Sequence, residues 1–496
     1  MYNDSFENES KEQYQNGAID IYHDHDNELK PIISISKSPP FKYNKSQNKL
    51  NLQITIALIT CLSTCLDGYM LIFIGYNNSI LNRKWNLSQK HLLLIEFVYH
   101  ITSALGGIIS IPTCYFSNQI GMNYNFVFSL SAIPVSLLLF NTNSYFGYLI
   151  CIGYICLVNG HLYNIGTNLI INKFSVYSRG SVFALIYFLN QVGKLLFAFF
   201  IFKYSILLQS GNIAVTIVPI ILLLIFEVIV NYNMLEVYYI NYKNTKMNLT
   251  EQINNTNAKK KYNMIYNLIF LNFLKFTKNS NEKFNLYKWL IQPIINIFEQ
   301  SPPLHGIFLV IINMSLGIQF FAMVNVFPLL RKPIPTFLTN EIFFSKITHT
   351  ILLGAFTLIC LLYTVNAKVI LFIAFTINLV LNLSIMFDWF DSYWMIHLFR
   401  FVWNVSYVMN NIYCAEAILK KNRGTNTSFL YTMFKLSCVV EIVIVNRIIE
   451  ISLFLPIAIN IFLLLFNIVV VNKLQVDTYM KSCQEIDNEI RRLNDK

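Results

Sequence analysis

The chain has 496 residues, 55% hydrophobic and only 13% charged, with a formal net charge of +11. A soluble domain carries about 25% charged residues, so a wholly water-exposed exterior is excluded. The basic excess gathers at the ends of apolar blocks, which speaks for membrane topology and a headgroup-facing surface and against a nucleic-acid partner.

Residues 1–50 are polar, rich in Asn and Ser, and hold six lysines, Lys11, Lys30, Lys37, Lys42, Lys45 and Lys49. They lack the apolar run of a secretory signal and read as a disordered tail. The run His23-Asp24-His25-Asp26 has no second ligand cluster nearby, so it reads as solvated; no metal or cofactor is expected.

About 20 apolar residues span a bilayer, and the first such block, 52–76, contains Asp67 and ends in Gly75-Tyr76-Asn77-Asn78. Polar groups in a span are costly and usually face a bundle interior or a water-filled path. Five more spans are predicted at 91–116, 124–141, 146–171, 181–204 and 213–240. The stretch 241–303 interrupts them with nine lysines, and apolar residues at helical spacing predict surface helices over 262–276 and 284–299. Six further spans follow at 304–330, 343–365, 368–387, 393–418, 426–446 and 451–472, leaving 473–496 as a tail. The expected fold is therefore all-α, with twelve transmembrane helices in two halves, 51–240 and 304–472, joined by the loop 241–303.

Basic residues decide the orientation. The first fifty residues, the loop 241–303, the loop with Lys420, Lys421 and Arg423, and the tail with five basic residues all fall on one side. The other side has Arg83, Lys84, Arg331 and Lys332. Both termini are expected to be cytoplasmic, in a plasma or organelle membrane. Nine cysteines, eight of them within predicted spans, read as free thiols rather than a disulfide framework.

Polar residues recur at helical spacing. In the tenth span Arg400, Asn404, Tyr407 and Asn411 share a face, as do His161, Asn164, Asn168 and Asn172 in the fourth. Glu96 with His100 is either a proton relay or a structural pair. Tyr187, Asn190 and Lys194 stand in the fifth span. Lys194 and Arg400 either attract an anionic solute group or neutralise Glu227 or Glu441.

"NKFSVYSRG", 172–180, and "EAILKKNRG", 416–424, close the fourth and tenth spans with Arg-Gly in register at an offset of 244. That offset carries the second span onto the eighth, which supports two tandem six-helix halves. "GYNNSILN", 75–82, and "INMSLGIQ", 312–319, with the Glu-x6-Arg-Gly from Glu416, resemble motifs of the major facilitator superfamily and, within it, of the sugar porters. The chain departs from that pattern in several places. "SNQIGMN", 117–123, keeps only Gly121 of the loop motif after the second span, and "VNAK", 365–368, replaces its repeat. "YVMNN", 407–411, stands for Gly-Pro-x-Pro-Trp.

The resemblance implies a solute site at Asn77, Tyr187, Asn313, Gln319 and Asn411, with Asn313 and Gln319 converging through an unwound helix at Gly317. It implies a cytoplasmic gate at Asn172, Arg179, Glu416 and Arg423, weakly latched and resting inward-open because most first-half partners are lost. The function expected is secondary transport of a small polar solute, sugar-like or another organic nutrient or metabolite, by a monomer. It is expected to be facilitative, because Asn77 stands where proton-coupled sugar porters have Asp. The alternatives are a proton-coupled symporter of an organic anion or amino acid, using Asp67, Glu96, His100 or Arg400, and a non-transporting receptor or scaffold. The chain has no P-loop and no H-E-x-x-H, so no enzyme or ATP-driven pump is expected.

Overall fold

The computed structural model describes residues 45–116, 118–174, 176–203, 214–250, 290–299, 302, 304–321, 338–362, 366–387, 392–419, 422–452, 454–479, 481 and 483–494. A few side chains within these helices, including those of Asn77 and Asn172, lie outside the description, as do the His23–Asp26 run and the segment 262–276.

Apolar runs become helices because backbone groups facing hydrocarbon must be satisfied within the segment. The first half comprises α1 (Lys45–Trp85), α2 (Gln89–Phe116), α3 (Asn118–Phe140), α4 (Tyr145–Lys173), α5 (Val176–Lys203) and α6 (Ala214–Thr250). A short amphipathic α7 (Gln292–Glu299) follows, burying Pro293 and Ile297. The second half comprises α8 (His305–Phe321), α9 (Leu338–Leu362), α10 (Ala367–Met386), α11 (Ser392–Glu416), α12 (Arg423–Ile451) and α13 (Phe454–Lys473); α14 (Cys483–Asn494) ends the chain. Local signals set several boundaries. Ser144 caps α4 by accepting from the Gly147 amide, and Asn366 caps α10 by accepting from Val369. Asn86 turns the chain into α2 at φ 50°, a left-handed conformation that Asn tolerates.

Eight of these helices contain stretches long and apolar enough to cross a bilayer, and α3, α8 and α9 hold shorter apolar runs. Phe146, Leu138, Phe462 and Ile351 are exposed on the outside, where lipid would cover them. The chain is a multi-pass membrane protein.

The 244-residue offset is visible in the packing. It carries α5 onto α12 and α2 onto α9, and the two large contacts between halves are α2 with α12 and α5 with α9. Each is the image of the other, as a two-fold related pair of halves requires. Within the halves the pairs α3–α6 and α3–α4 are repeated by α10–α13 and α10–α11.

Glycines permit the closest crossings, as in other membrane bundles. A Cβ on Gly68 would stand 2.0 Å from the Asn190 carbonyl, and one on Gly193 would stand 2.0 Å from that of Cys65. The backbones of α1 and α5 therefore touch where they cross. Gly106 and Gly160 do the same for α2 and α4, against Leu157 and Ser103. Gly75 meets nothing within 4 Å, so close approach in α1 comes from Gly68. Gly317 does not unwind α8, which runs unbroken through it; a Cβ there would strike Ser437 and the Phe434 carbonyl of α12. Its role is contact, not a break.

Candidate functional site

A cavity of about 50 Å3 lies between the halves, lined from α1, α2, α4, α5, α8, α11 and α12. That is room for a few waters and far below the ~300 Å3 of a pocket filled by a small ligand. This conformation is contracted around its site.

An ion pair crosses the cavity. Lys435 Nζ of α12 lies 3.4 Å from Asp67 Oδ1 of α1, with the two side chains 5% and 21% exposed. Neighbours complete both groups. The Tyr99 hydroxyl donates to Asp67 at 2.9 Å, and Asn159 and Asn190 donate to the carboxylate at 3.4 and 3.5 Å. The Gly68–Asn190 crossing holds α5 close enough for Asn190 to donate to the Thr64 carbonyl as well. Lys435 also bonds the Tyr99 hydroxyl at 3.2 Å and stands over the rings of Tyr99 and Tyr431 at 4.7 and 5.4 Å, a favourable cation–π arrangement. Asp67 was read as a candidate coupling residue away from the solute site, and its partner Lys435 was not singled out, although a lysine inside an apolar span is itself a functional signal.

The remaining wall is aromatic. Trp403 and Tyr407 of α11 stack at 5.4 Å and 7°, and Tyr187 meets Tyr407 edge-on at 5.3 Å. The hydroxyls of Tyr163 and Tyr187 are hydrogen-bonded. Phe320 and Phe434 close the other side against Trp403 and Tyr407. Gln191 of α5 reaches across to Asn404 of α11 at 3.1 Å, a second polar link between halves. Lys194 lines the same wall.

Of the expected solute-site residues, Tyr187 lines this cavity. Asn313, Gln319 and Asn411 do not. Asn313 donates to the Leu309 carbonyl and accepts from Asn410. Gln319 donates to Ser315, and Asn411 to the Tyr407 carbonyl. With α8 unbroken, Asn313 and Gln319 stay on different sides of it. The helical face read in α11 reaches the cavity through Asn404 and Tyr407, whereas in α4 only Tyr163 lines it. His161 packs against Phe128, Asn164 bonds the Gly160 carbonyl, and Asn168 lies against Gly424. His100 lines the cavity between the Tyr99 and Phe320 rings. Glu96 and Arg400 are half-buried and outside its lining.

Three of the residues expected at the gate, Arg179, Glu416 and Arg423, meet where α4 passes to α5 and α11 to α12. Arg179 lies 3.6 Å from Glu416 across the halves, both buried. The two repeated arginines also make the same local bond. Arg179 donates through Nη2 to the Phe174 carbonyl and Arg423 through Nε to the Ile418 carbonyl, each five residues back, so the duplication extends to which carbonyl each arginine meets. Arg423 further pairs with Asp487 of α14 at 3.4 Å. The tail bonds this end through Tyr413 to the Val476 carbonyl and Lys368 to the Leu474 carbonyl, and it buries Ile486 and Ile490. The expected loose, inward-open latch is thus not the conformation here. Arg179 alone suffices to reach Glu416, and the tail supplies an acid that the loop motifs lack.

No family model matches the sequence, and no curated protein does. Solved structures do. The proton:xylose symporter XylE bound to 6-bromo-6-deoxy-D-glucose matches at TM-score 0.63 and 14% identity, over 90% of this chain and 100% of that one. FucP, a major facilitator superfamily transporter in the outward conformation, matches at 0.57 and 11%, over 86% and 99%. The human organic anion transporter MFSD10 matches at 0.55 and 10%, over 85% and 99%. At these identities the likeness is one of fold, and the chain has the major facilitator superfamily fold.

Proposed function

We propose that the chain is a secondary transporter moving a small polar solute by alternating access. Its twelve spans would be α1–α6 and α8–α13, with both termini cytoplasmic, and it would act as a monomer. The observation that carries this reading is the Asp67–Lys435 pair. It joins the two pseudo-symmetric halves inside a contracted cavity, where a rocking motion would break it and a solute would enter. Tyr187, Asn190, Gln191, Trp403, Asn404 and Tyr407 are then the solute-facing residues. Asn313, Gln319 and Asn411 support them from behind, and Arg179, Glu416 and Arg423 hold the cytoplasmic side closed.

Transport is facilitative in this reading. Purified protein in liposomes should equilibrate its solute and show no accumulation driven by a proton gradient. A second reading, proton-coupled symport, is favoured by the position of the Asp67 carboxylate in the cavity wall. Accumulation that follows the gradient in the parent protein and vanishes in Asp67→Asn would establish that reading instead. The absence of any uptake by protein that still binds its solute would point to the receptor or scaffold.

A further inference from the structure

Lys435 and Lys194 hold comparable places in the two halves, with unequal surroundings. Helix α12 repeats α5, and the offset carries Lys435 onto Gln191, one turn from Lys194. The charge of Lys435 is met by Asp67 from α1. The repeat of α1 is α8, which reads HGIFLVIINMSLGIQFF and contains no acid. Lys194 is 9% exposed and lines the cavity. Its ammonium makes no hydrogen bond or ion pair among the described residues.

More basic groups stand beside it. Ser181 donates to the Cys360 carbonyl and Thr357 to the Ala184 carbonyl, which fixes α5 and α9 in antiparallel register. Continuing that register sets Lys194 level with Ile347, next to Lys346. Lys346 lies within electrostatic reach of Lys194 and of Arg400 on α11. One turn along α9, His349 hydrogen-bonds His397 of α11 at 3.0 Å. Helix α5 carries no acid, and neither does α9 from Lys346 to Cys360. Asp67 acts on Lys194 electrostatically but is already committed to Lys435. The cavity wall thus holds one acid against two cations, with further basic groups behind.

We propose that the Lys194 end of the cavity, reinforced by Lys346, holds the anionic group of the transported solute, which is a small organic monoanion such as a carboxylate. One negative charge balances the surplus, which a buried site otherwise leaves uncompensated. The stacked Trp403 and Tyr407 offer a face for an apolar or aromatic body. The inference deepens the transporter reading and rests on it.

The test uses the purified full chain in detergent and follows thermal stabilisation by matched acids and amides, benzoate against benzamide and lactate against lactamide, with inorganic phosphate and chloride as controls. At least one acid should bind tenfold or more tightly than its amide. Lys194→Met should abolish that preference, and Lys194→Arg should retain it. Should Lys194→Met not fold, Lys346→Met should narrow the preference at least threefold. Equal binding of acid and amide in both pairs overturns the proposal. So does a preference that survives both Met substitutions, or stabilisation by phosphate or chloride equal to that by the organic acids. Acid-selective binding without uptake in liposomes would sink the transporter reading and leave the anion site standing. Uptake confined to neutral solutes would do the reverse.

Discussion

Asp67 and Lys435 stand 368 positions apart in the chain and meet inside the bundle. Removing one partner of a buried pair typically costs about 3–5 kcal/mol, because the other charge is left uncompensated, whereas replacing both by apolar residues is often nearly neutral. Asp67 is the more exposed of the two, so water softens the loss and the lower end of that range is expected. Asp67→Leu should therefore lower the melting temperature, and Asp67→Leu with Lys435→Leu should recover most of it while leaving uptake abolished. A double variant no more stable than the single one would show that Lys435 does not depend on Asp67. At this scale the charges singled out in the sequence divide: Asp67 and Lys194 line the cavity, Glu96 and Arg400 do not, and Lys435 was passed over; the amides were read poorly. Asp67, Tyr187, Asn190 and Lys194 stand out as polar groups in apolar runs, and the structure brings them to one wall. The asparagines misled because they are frequent and most donate locally. Asn164, Asn231, Asn313, Asn382 and Asn411 each bond the carbonyl four residues back. An amide satisfied by its own helix carries no message about a cavity.

Among the elements, α14 is the one whose role the sequence left open. Its apolar positions Ile486 and Ile490 are fully buried, and Asp487 between them meets Arg423. Lys481 ties the preceding turn to Glu489 at 2.7 Å. Burying an isoleucine is worth about 1.5–3 kcal/mol, so the segment 474–494 is held by more than its exposed ion pairs, which contribute about 1 kcal/mol or less each. Ile486→Asp with Ile490→Asp should release it, lower the melting temperature, and raise the uptake rate if opening of the Arg179–Glu416 side limits turnover. Unchanged stability and rate would show that the tail latches nothing. The amphipathic spacing of α14 is visible in the sequence. What it and the segment before it pack against is not, because Arg423, Tyr413 and Lys368, which meet Asp487, Val476 and Leu474, come from the ends of three different helices.

For the molecule as a whole, the α2–α12 and α5–α9 contacts set what can move. Residues Ser46–Lys496 form one compact unit, and the two contacts are images of each other across the duplication. In an alternating-access cycle both must slide or open. The bond from Ser181 to the Cys360 carbonyl, 2.8 Å, puts position 181 beside a native thiol on the facing helix. Ser181→Cys cross-linked to Cys360 by a short thiol-reactive linker should stop uptake, and cleaving the linker should restore it. Transport undiminished by the cross-link would rule out movement at this contact. The Arg-Gly repeat made the two halves legible before any coordinates. Their mutual register was not legible, because it depends on which glycines meet the other half: Gly107 meets Tyr431 and Thr432 and Gly354 meets Phe188, whereas Gly75 meets nothing, and the sequence does not tell them apart.

The sequence by itself determined that this is a helical membrane protein of two related halves, because the length of apolar blocks answers to bilayer thickness and a tandem repeat preserves its period. It also marked the charged residues inside spans, since the bilayer makes each of them costly. Only the tertiary structure decided how those charges are shared. Lys435 is answered by Asp67, Arg179 by Glu416 and Arg423 by Asp487, each pair joining elements far apart in the chain. Lys194 receives no such partner, and no local pattern distinguishes it from Lys435. The difference lies in what α1 and α8, its repeat, bring to the cavity: a carboxylate in one case, and the Phe320 ring in the other.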